Sequence, residues 1–431
     1  MIVEFSVKNF RSIRDLQTIS FAATGLKSAE ENAEVDTNNI AHDGGMRLLK
    51  TVGIYGANAS GKSNLIRAIE YFIQAIKNEA SSESNLQSLC DPFIYQDGPF
   101  ETESFFQMVL ILQQKKYRYG FTVKNNPDYI DRGSRQLVTN EWLYGTKEKN
   151  SGEYFTRKGL ETKKETLPGE TVIPALPYAH TLFITHAAAF DAVGICAEIR
   201  NFLLGWTISN FTLGFDAFRF NTLRLIDLEN RKFELLELLS AFNLHYSDVV
   251  IEKDNPKPNY ESITHEKIFF IKEFINNRRE IIPVKLNLRN TESAGTQKLF
   301  DIAGLLLRAF GLPISGFLII DEIDSNFHPA LLINLIGLFN NPNINKSKIQ
   351  VLFTSHDTNL MSPNRMRRDQ FYFTEKGEDE ATRVYSLADL RGVRNDADFA
   401  KNYLAGFYGA VPVLEKFTRQ METQKDGTLE Y

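Results

Sequence analysis

Eight residues, Gly56 to Ser63 (GANASGKS), narrow what this chain can fold into more than any other stretch. The pattern G-x-x-x-x-G-K-S is a phosphate-binding P-loop, and it needs a strand before it and a helix after it. Leu48 to Tyr55 (LLKTVGIY) reads as a buried strand. Asn64 to Ile76 reads as a helix with apolar residues at Leu65, Ile66, Ile69, Phe72 and Ile73. Glycines permit a sharp turn that aims backbone N–H groups at phosphate oxygens, and the helix start adds the positive end of its dipole. The candidate phosphate-binding set is Gly56, Asn58, Ala59, Ser60, Gly61, Lys62, Ser63 and Asn64. Lys62 is expected to reach the β- and γ-phosphates of a nucleotide, and Ser63 to bind Mg²⁺.

Three later stretches bear on the same chemistry. FLIIDEID, Phe317 to Asp324, is an apolar strand that delivers Asp321 and Glu322 at its carboxyl end. Ligands of open α/β sheets sit there. Asp321 would hold Mg²⁺ through water, and Glu322 would orient or deprotonate an attacking water. Read alone, the pair is two acids at a solvated strand end; a P-loop in the same chain makes the catalytic reading the stronger. Glu292 to Gln297 (ESAGTQ) precedes an apolar helix at Leu299 to Phe310. A hydroxyl residue and a glycine at a helix start suit either an anion site or an ordinary cap, and alone the cap is preferred. Thr354 to Asp357 (TSHD) follows the strand Gln350 to Thr354, so His356 could contact a γ-phosphate; the other six histidines read as loop or helix-start residues.

Composition bounds the setting. With 43% hydrophobic residues, 24% charged residues and 33 Phe, the chain can bury a substantial core. A net charge of −5 argues against a surface dominated by nucleic-acid contacts. Two cysteines, Cys90 and Cys196, fit a reducing compartment. The start, MIVEFSVKNF, alternates like a strand rather than a signal peptide, and no apolar run approaches the ~20 residues that span a bilayer. A cytoplasmic protein without membrane contact is expected.

Along the chain, strands are expected at residues 2–10 and 16–21, and a polar surface loop at 23–47. A hairpin turning at Gln113 to Lys116 and a strand at Leu137 to Tyr144 read as an antiparallel sheet. Helices are expected at Ala188 to Leu204 and Leu223 to Phe242, a linker at residues 254–261, and strands at Lys267 to Ile271 and Ile281 to Leu286. Strands and helices then alternate again, which indicates a mostly parallel sheet with helices on both faces. The expected division is an N-terminal lobe at 1–160, a helical insert with short strands at 161–288, and a C-terminal lobe at 289–431.

The order and spacing of Phe10-Arg11-Ser12, GANASGKS, SAGTQ, FLIIDEID and His356 resemble the ABC-class ATPase heads of the SMC, RecF and OLD group. The resemblance covers roughly residues 1–145 and 285–410. Within the group the chain looks most like compact bacterial ATPases of phage-defence and abortive-infection operons, of the RloA, AbiL and PARIS type. Those carry a similar ESAGTQKLF stretch and a segment like Lys401 to Pro412 (KNYLAGFYGAVP). The resemblance implies an α/β P-loop ABC-ATPase head with an attached antiparallel sheet and a helical insert. It implies an ATPase whose subunits sandwich two ATP molecules, with Mg²⁺. Ser293, Gly295 and Gln297 would face the nucleotide on a second subunit, Asp324 would lie at that interface, Arg11 would approach adenine or phosphate, and His356 would be the switch histidine. Implied partners are a second copy of the chain, a separate nuclease-like effector from the same operon, and a phage trigger protein or DNA. A DNA-repair ATPase of the RecF type is the alternative, with Arg365, Arg367, Arg368, Arg278 and Arg279 as its basic residues. Too few residues lie between Ser63 and Ser293 for long coiled-coil arms, and too few follow His356 for the Toprim nuclease of OLD proteins.

Overall fold

The helix that follows the glycine loop, Lys62–Lys77, is clamped between two sheets, and the rest of the chain is arranged around that clamp. A computed structural model describes residues 1–77, 91–125, 136–147, 150–164, 167, 173–205, 207–210, 216–227, 229–252, 267–311, 316–325 and 327–412. Cys90 and the linker expected at 254–261 lie outside the described residues.

On one side of the helix is a seven-stranded antiparallel sheet, in the order Glu161–Lys164, Asn150–Lys158, Gln136–Lys147, Lys115–Asn125, Ser104–Leu112, Ile2–Lys8, Gln17–Ser20. Aromatic rings fill the contact. Phe72 meets Phe5 edge-on at 5.7 Å between centroids and stacks on Phe121 at 5.5 Å, and Tyr71 lies 4.8 Å from Phe106. Such pairs add specificity beyond their buried area. On the other side Val52, Ile54, Ile319 and Leu352 of the second sheet join the same buried cluster. A helix buried on two faces must be apolar well beyond a single stripe, as this one is.

The second sheet has the order Thr207–Asn210, Phe317–Asp321, Gln350–Thr354, Thr51–Gly56, Phe371–Lys376, Thr382–Ser386. All neighbours run parallel except the last pair. The strands Phe317–Asp321, Gln350–Thr354 and Thr51–Gly56 are buried at every residue, which accounts for their continuous apolar runs. Its far face is covered by the helices Asp216–Asp227, Lys232–Ala241, Ala294–Gly311 and Pro329–Asn340. Two of these approach very closely: a Cβ on Gly304 would stand 2.4 Å from the Thr222 nitrogen. Arg219 and Asp301 form a buried bidentate pair across the same contact, at 2.7 and 2.9 Å. Within residues 161–288, strand Thr207–Asn210 thus extends the parallel sheet, and helix Asp216–Asp227 packs on Ala294–Gly311. A three-stranded sheet, Asp248–Glu252, Lys267–Ile275 and Ile281–Asn287, leads into the ESAGTQ stretch.

The expected α/β architecture is present, with local differences that have physical causes. The strand expected at 48–55 is two strands. Met46–Leu49 pairs with Ile40–Asp43, Thr51–Gly56 enters the parallel sheet, and Lys50 breaks the run. Its amine donates to the Asn38 and Asn340 carbonyls at 2.7 and 3.2 Å, and burial pushes its pKa down to about 8. The loop expected at 23–47 instead holds the short helix Ala33–Asn38 and that hairpin, whose Gly44 and Gly45 take φ of +52° and +74°. The helix expected at 188–204 is two helices, Phe183–Phe190 and Ile195–Leu204. Asp191 folds its carboxylate 2.1 Å from where a Cβ on Gly194 would stand, so a larger residue there would have to displace it. The helix expected at 223–242 breaks near Asn230, which takes φ of +51°. Among the described residues no helix is long and apolar enough to cross a membrane.

Candidate active site

Parallel register brings three strand ends together. Thr354 lies beside Ile54 of the P-loop strand, and Phe353 beside Ile320 of the FLIID strand. Strand Gln350–Thr354 therefore stands between the glycine loop and the two acids. Its last hydroxyl serves both acidic residues: Thr354 Oγ1 donates to Asp321 Oδ1 and accepts from the Glu322 N–H at 2.7 Å. The Thr354 carbonyl accepts from the Ile323 N–H at 3.0 Å. These bonds turn the chain abruptly after Asp321, and Glu322 takes φ of +51°. A non-glycine residue in the left-handed region is held there by its surroundings. Asp324, on the same turn, accepts the His356 N–H on both carboxylate oxygens at 3.3 Å.

The glycine loop is shaped by positions where a side chain cannot exist. A Cβ on Gly61, at φ +109°, would stand 2.2 Å from Thr382 Oγ1, and one on Gly56 would stand 2.4 Å from the Thr374 carbonyl. Asn58 and Ala59 are exposed at the rim, and Ala59 takes φ of +62°. Lys62 is buried and donates to the Gly56 and Ala57 carbonyls at 2.9 and 3.0 Å. Burial lowers its amine from the usual lysine value, while Asp321, then Glu322 and Asp324, pull the other way. His356 is likewise lowered, first by desolvation and then by Lys62, with the three acids opposing. Lys62, Asp321, Glu322, Asp324 and His356 thus share one electrostatic field.

Residues beyond the motifs complete the cradle. Ser60 Oγ bonds Thr374 Oγ1 at 2.6 Å. Asn64 donates to Ser12 Oγ at 2.7 Å, and Thr382 bonds both Ser12 and the Ser60 carbonyl. The Phe10-Arg11-Ser12 turn is therefore part of the loop's wall. Arg11, at φ +51°, pairs with Asp91 at 3.2 Å, and among the described residues its buried Nε has no hydrogen-bond partner. Gln96 donates to Asn9 at 2.7 Å beside this turn, whereas Gln107 accepts from Trp142 in the antiparallel sheet. Thr374 is the polar residue that follows the apolar run Phe371-Tyr372-Phe373 in strand Phe371–Lys376. Thr382 has no local signal, because its role depends on the pairing of Phe371–Lys376 with Thr382–Ser386.

The ESAGTQ residues bond within their own segment. Ser293 Oγ accepts from the Thr296 N–H at 3.2 Å and caps helix Ala294–Gly311. Gln297 folds back to the Glu292 carbonyl at 3.0 Å. Ser293 and Ala294 are exposed. Among the described residues no hydrogen bond or ion pair joins Ser293 to Gln297 with Gly56 to Asn64. Among the described residues, Lys62, Asp321, Glu322, Asp324 and His356 are linked to one another, while Ser293 and Gln297 bond within their own segment.

The donor set suits a magnesium nucleotide. The loop has no room for a side chain at Gly56 or Gly61 and leads into a helix N-terminus, which suits a polyphosphate. Ser63 and Asp321 offer hard oxygens of the kind Mg²⁺ takes alongside phosphate and water. Among the described residues no group of three or more His, Cys, Asp and Glu could hold a metal by itself, so phosphate and water would have to fill the remaining positions. The arginines weighed for a nucleic-acid surface do not form one patch. Arg367 is buried in ion pairs with Asp36 and Asp369, Arg365 and Arg368 are bonded to the Asn359 and Val393 carbonyls, and Arg278 and Arg279 sit in a separate exposed turn.

Compared with curated proteins, the sequence finds no match. A family model does match, over residues 52–362, from the P-loop strand past His356; it is described as "AAA domain, putative AbiEii toxin, Type IV TA system". That span is more than half of the sequence and includes the glycine loop, the ESAGTQ stretch and the DEID turn. The chain belongs to this AAA-domain family of nucleotide-binding P-loop ATPases.

Proposed function

We propose that the protein is an ATP-hydrolysing switch whose subunits close on two ATP molecules and control a separate effector in defence against phage. The observation that carries this reading is the split just described. Glu322 and His356 lie beside the P-loop of their own chain, while Ser293 caps an exposed helix start, with Gly295 in its first turn, and neither bonds to that loop. A second copy would bring its Ser293 and Gly295 to the γ-phosphate held by the first.

In the closed pair, Lys62 leaves the Gly56 and Ala57 carbonyls for the β- and γ-phosphates. Bound Mg²⁺, held by Ser63 and Asp321, would neutralise phosphate charge. Glu322 accepts a proton from the water that attacks the γ-phosphate, and the β–γ bridging oxygen leaves with ADP. His356 meets the γ-phosphate and transmits its loss through its bond to Asp324. Arg11 supplies a donor toward the nucleotide from its Nε, which is buried and has no partner among the described residues.

The family's description as a toxin of a type IV toxin–antitoxin system supports a role in abortive infection. The effector would be a nuclease-like protein from the same operon, the trigger a phage protein or DNA, and the setting the cytoplasm. A DNA-end-binding ATPase of the RecF type is disfavoured by the burial of Arg367 in ion pairs. The test is the solution mass of Glu322→Gln with and without Mg-ATP. The reading requires ATP to raise the mass and Ser293→Arg to abolish the rise; an unchanged mass in both would reduce Ser293 to a helix cap.

A further inference from the structure

Lys298 is 1% exposed and sits one turn into the helix that Ser293 caps. An amine so removed from water is costly unless it is bonded. It donates to the Ser325 carbonyl and lies 4.6 Å from the centre of the Phe327 ring. Both partners belong to the turn after Asp321. Within that turn the Ser325 N–H bonds the Glu322 carbonyl at 3.0 Å, and the Phe327 N–H bonds the Asp324 carbonyl at 3.1 Å. Asp324 in turn holds the His356 N–H. A continuous set of contacts therefore runs from the ESAGTQ helix to the base and the histidine. Burial lowers the Lys298 amine to about 8, while Asp324 and then Glu322 draw it back toward its charged form.

We infer that Lys298 is a positioning residue: it ties the helix bearing Ser293 and Gly295 to the turn bearing Glu322 and Asp324, so that these two parts of one chain move together. The inference rests on the sandwich reading for its consequence. Each chain would touch one nucleotide through Lys62 and Glu322, and the partner's nucleotide through Ser293. Lys298 is then the link by which engagement at one nucleotide sets the base at the other. An apolar residue of similar length would fill the space but could neither bond Ser325 nor answer the charges of Asp324 and Glu322.

The experiment compares Lys298→Met and Lys298→Arg with the unaltered protein in ATP hydrolysis. Lys298→Met is expected to lower kcat about 10- to 100-fold, since small misplacements of reacting groups cost that much. KM for ATP should stay within about twofold, and the Hill coefficient should fall toward about 1 as coupling is lost. Lys298→Arg keeps a cation and a donor and should restore most of the rate. Unchanged kcat and cooperativity in Lys298→Met overturn the proposal. So does a joint loss of kcat, ATP affinity and thermal stability that Lys298→Arg fails to rescue, which would mark plain packing. Failure of the sandwich reading looks different: Ser293→Arg would leave mass and rate as they were. The tie is then still tested by hydrogen exchange at the Ile323 to Ser325 amides, which must be faster in Lys298→Met; unchanged exchange overturns it.

Discussion

Glu141 and Glu322 are both glutamates carried by strands or their ends, and their environments are opposite. Glu141 is fully buried on strand Gln136–Lys147. Its carboxylate accepts from the Phe183 and Ile184 N–H groups at 2.6 and 2.9 Å, from Tyr119 at 3.1 Å and from Arg157 at 3.2 Å. Those N–H groups open helix Phe183–Phe190, so the acid caps that helix and satisfies two of its orphan donors. Glu322 is half-buried, and among the described residues its carboxylate accepts no hydrogen bond. Its backbone is held by Thr354 while its side chain stays available. A carboxylate whose lone pairs are all taken is architecture; one pinned by its backbone with its lone pairs open is equipped to receive a proton.

The contrast can be broken by making the same change at both acids. Glu322→Gln should lower kcat for ATP hydrolysis by about 10²- to 10⁴-fold, the usual contribution of a general base. ATP should still raise its melting temperature. Glu141→Gln should leave kcat per folded molecule unchanged and reduce folding stability by about 3–5 kcal/mol, because Arg157 loses its buried counter-charge. Urea titration reads that loss. If the two variants exchanged phenotypes, the assignment of roles would be wrong. A smaller effect concerns His356. Its folded value lies below the ordinary histidine value, first through desolvation and then through Lys62. The unfolded chain therefore takes up its proton first as pH falls below about 6.5, so stability declines there and is whole above it. His356→Gln should flatten that part of the stability–pH curve, and a curve of unchanged slope would remove His356 from the shared field.

The site's skeleton was legible because it is local. A glycine loop, an apolar strand ending in Asp321 and Glu322, and the strand QVLFT each carry their own signal in a few consecutive residues. Strand Gln350–Thr354 is found where its apolar run places it, and the P-loop helix differs from its expected span only at the ends. What was not legible depends on distant chain segments. Thr382 reaches Ser12 and Ser60 only because two strands pair. Lys298 falls just before the helix expected at Leu299 to Phe310, and nothing local marks it until Ser325 lies against it. Arg367 reads as part of a basic surface until Asp36 and Asp369 enclose it. The breaks at Gly194 and Asn230 fall inside helical periodicity, which reports the buried face but not where the backbone turns.

The left-handed backbone of Glu322 implies a conflict between endurance and turnover at one position. A non-glycine residue there carries roughly 1–2 kcal/mol of backbone strain, and glycine would relieve it. Glu322→Gly would make the chain sturdier and would take away the proposed base. The position that a glycine would suit best for endurance is the one where the proposed turnover needs a carboxylate.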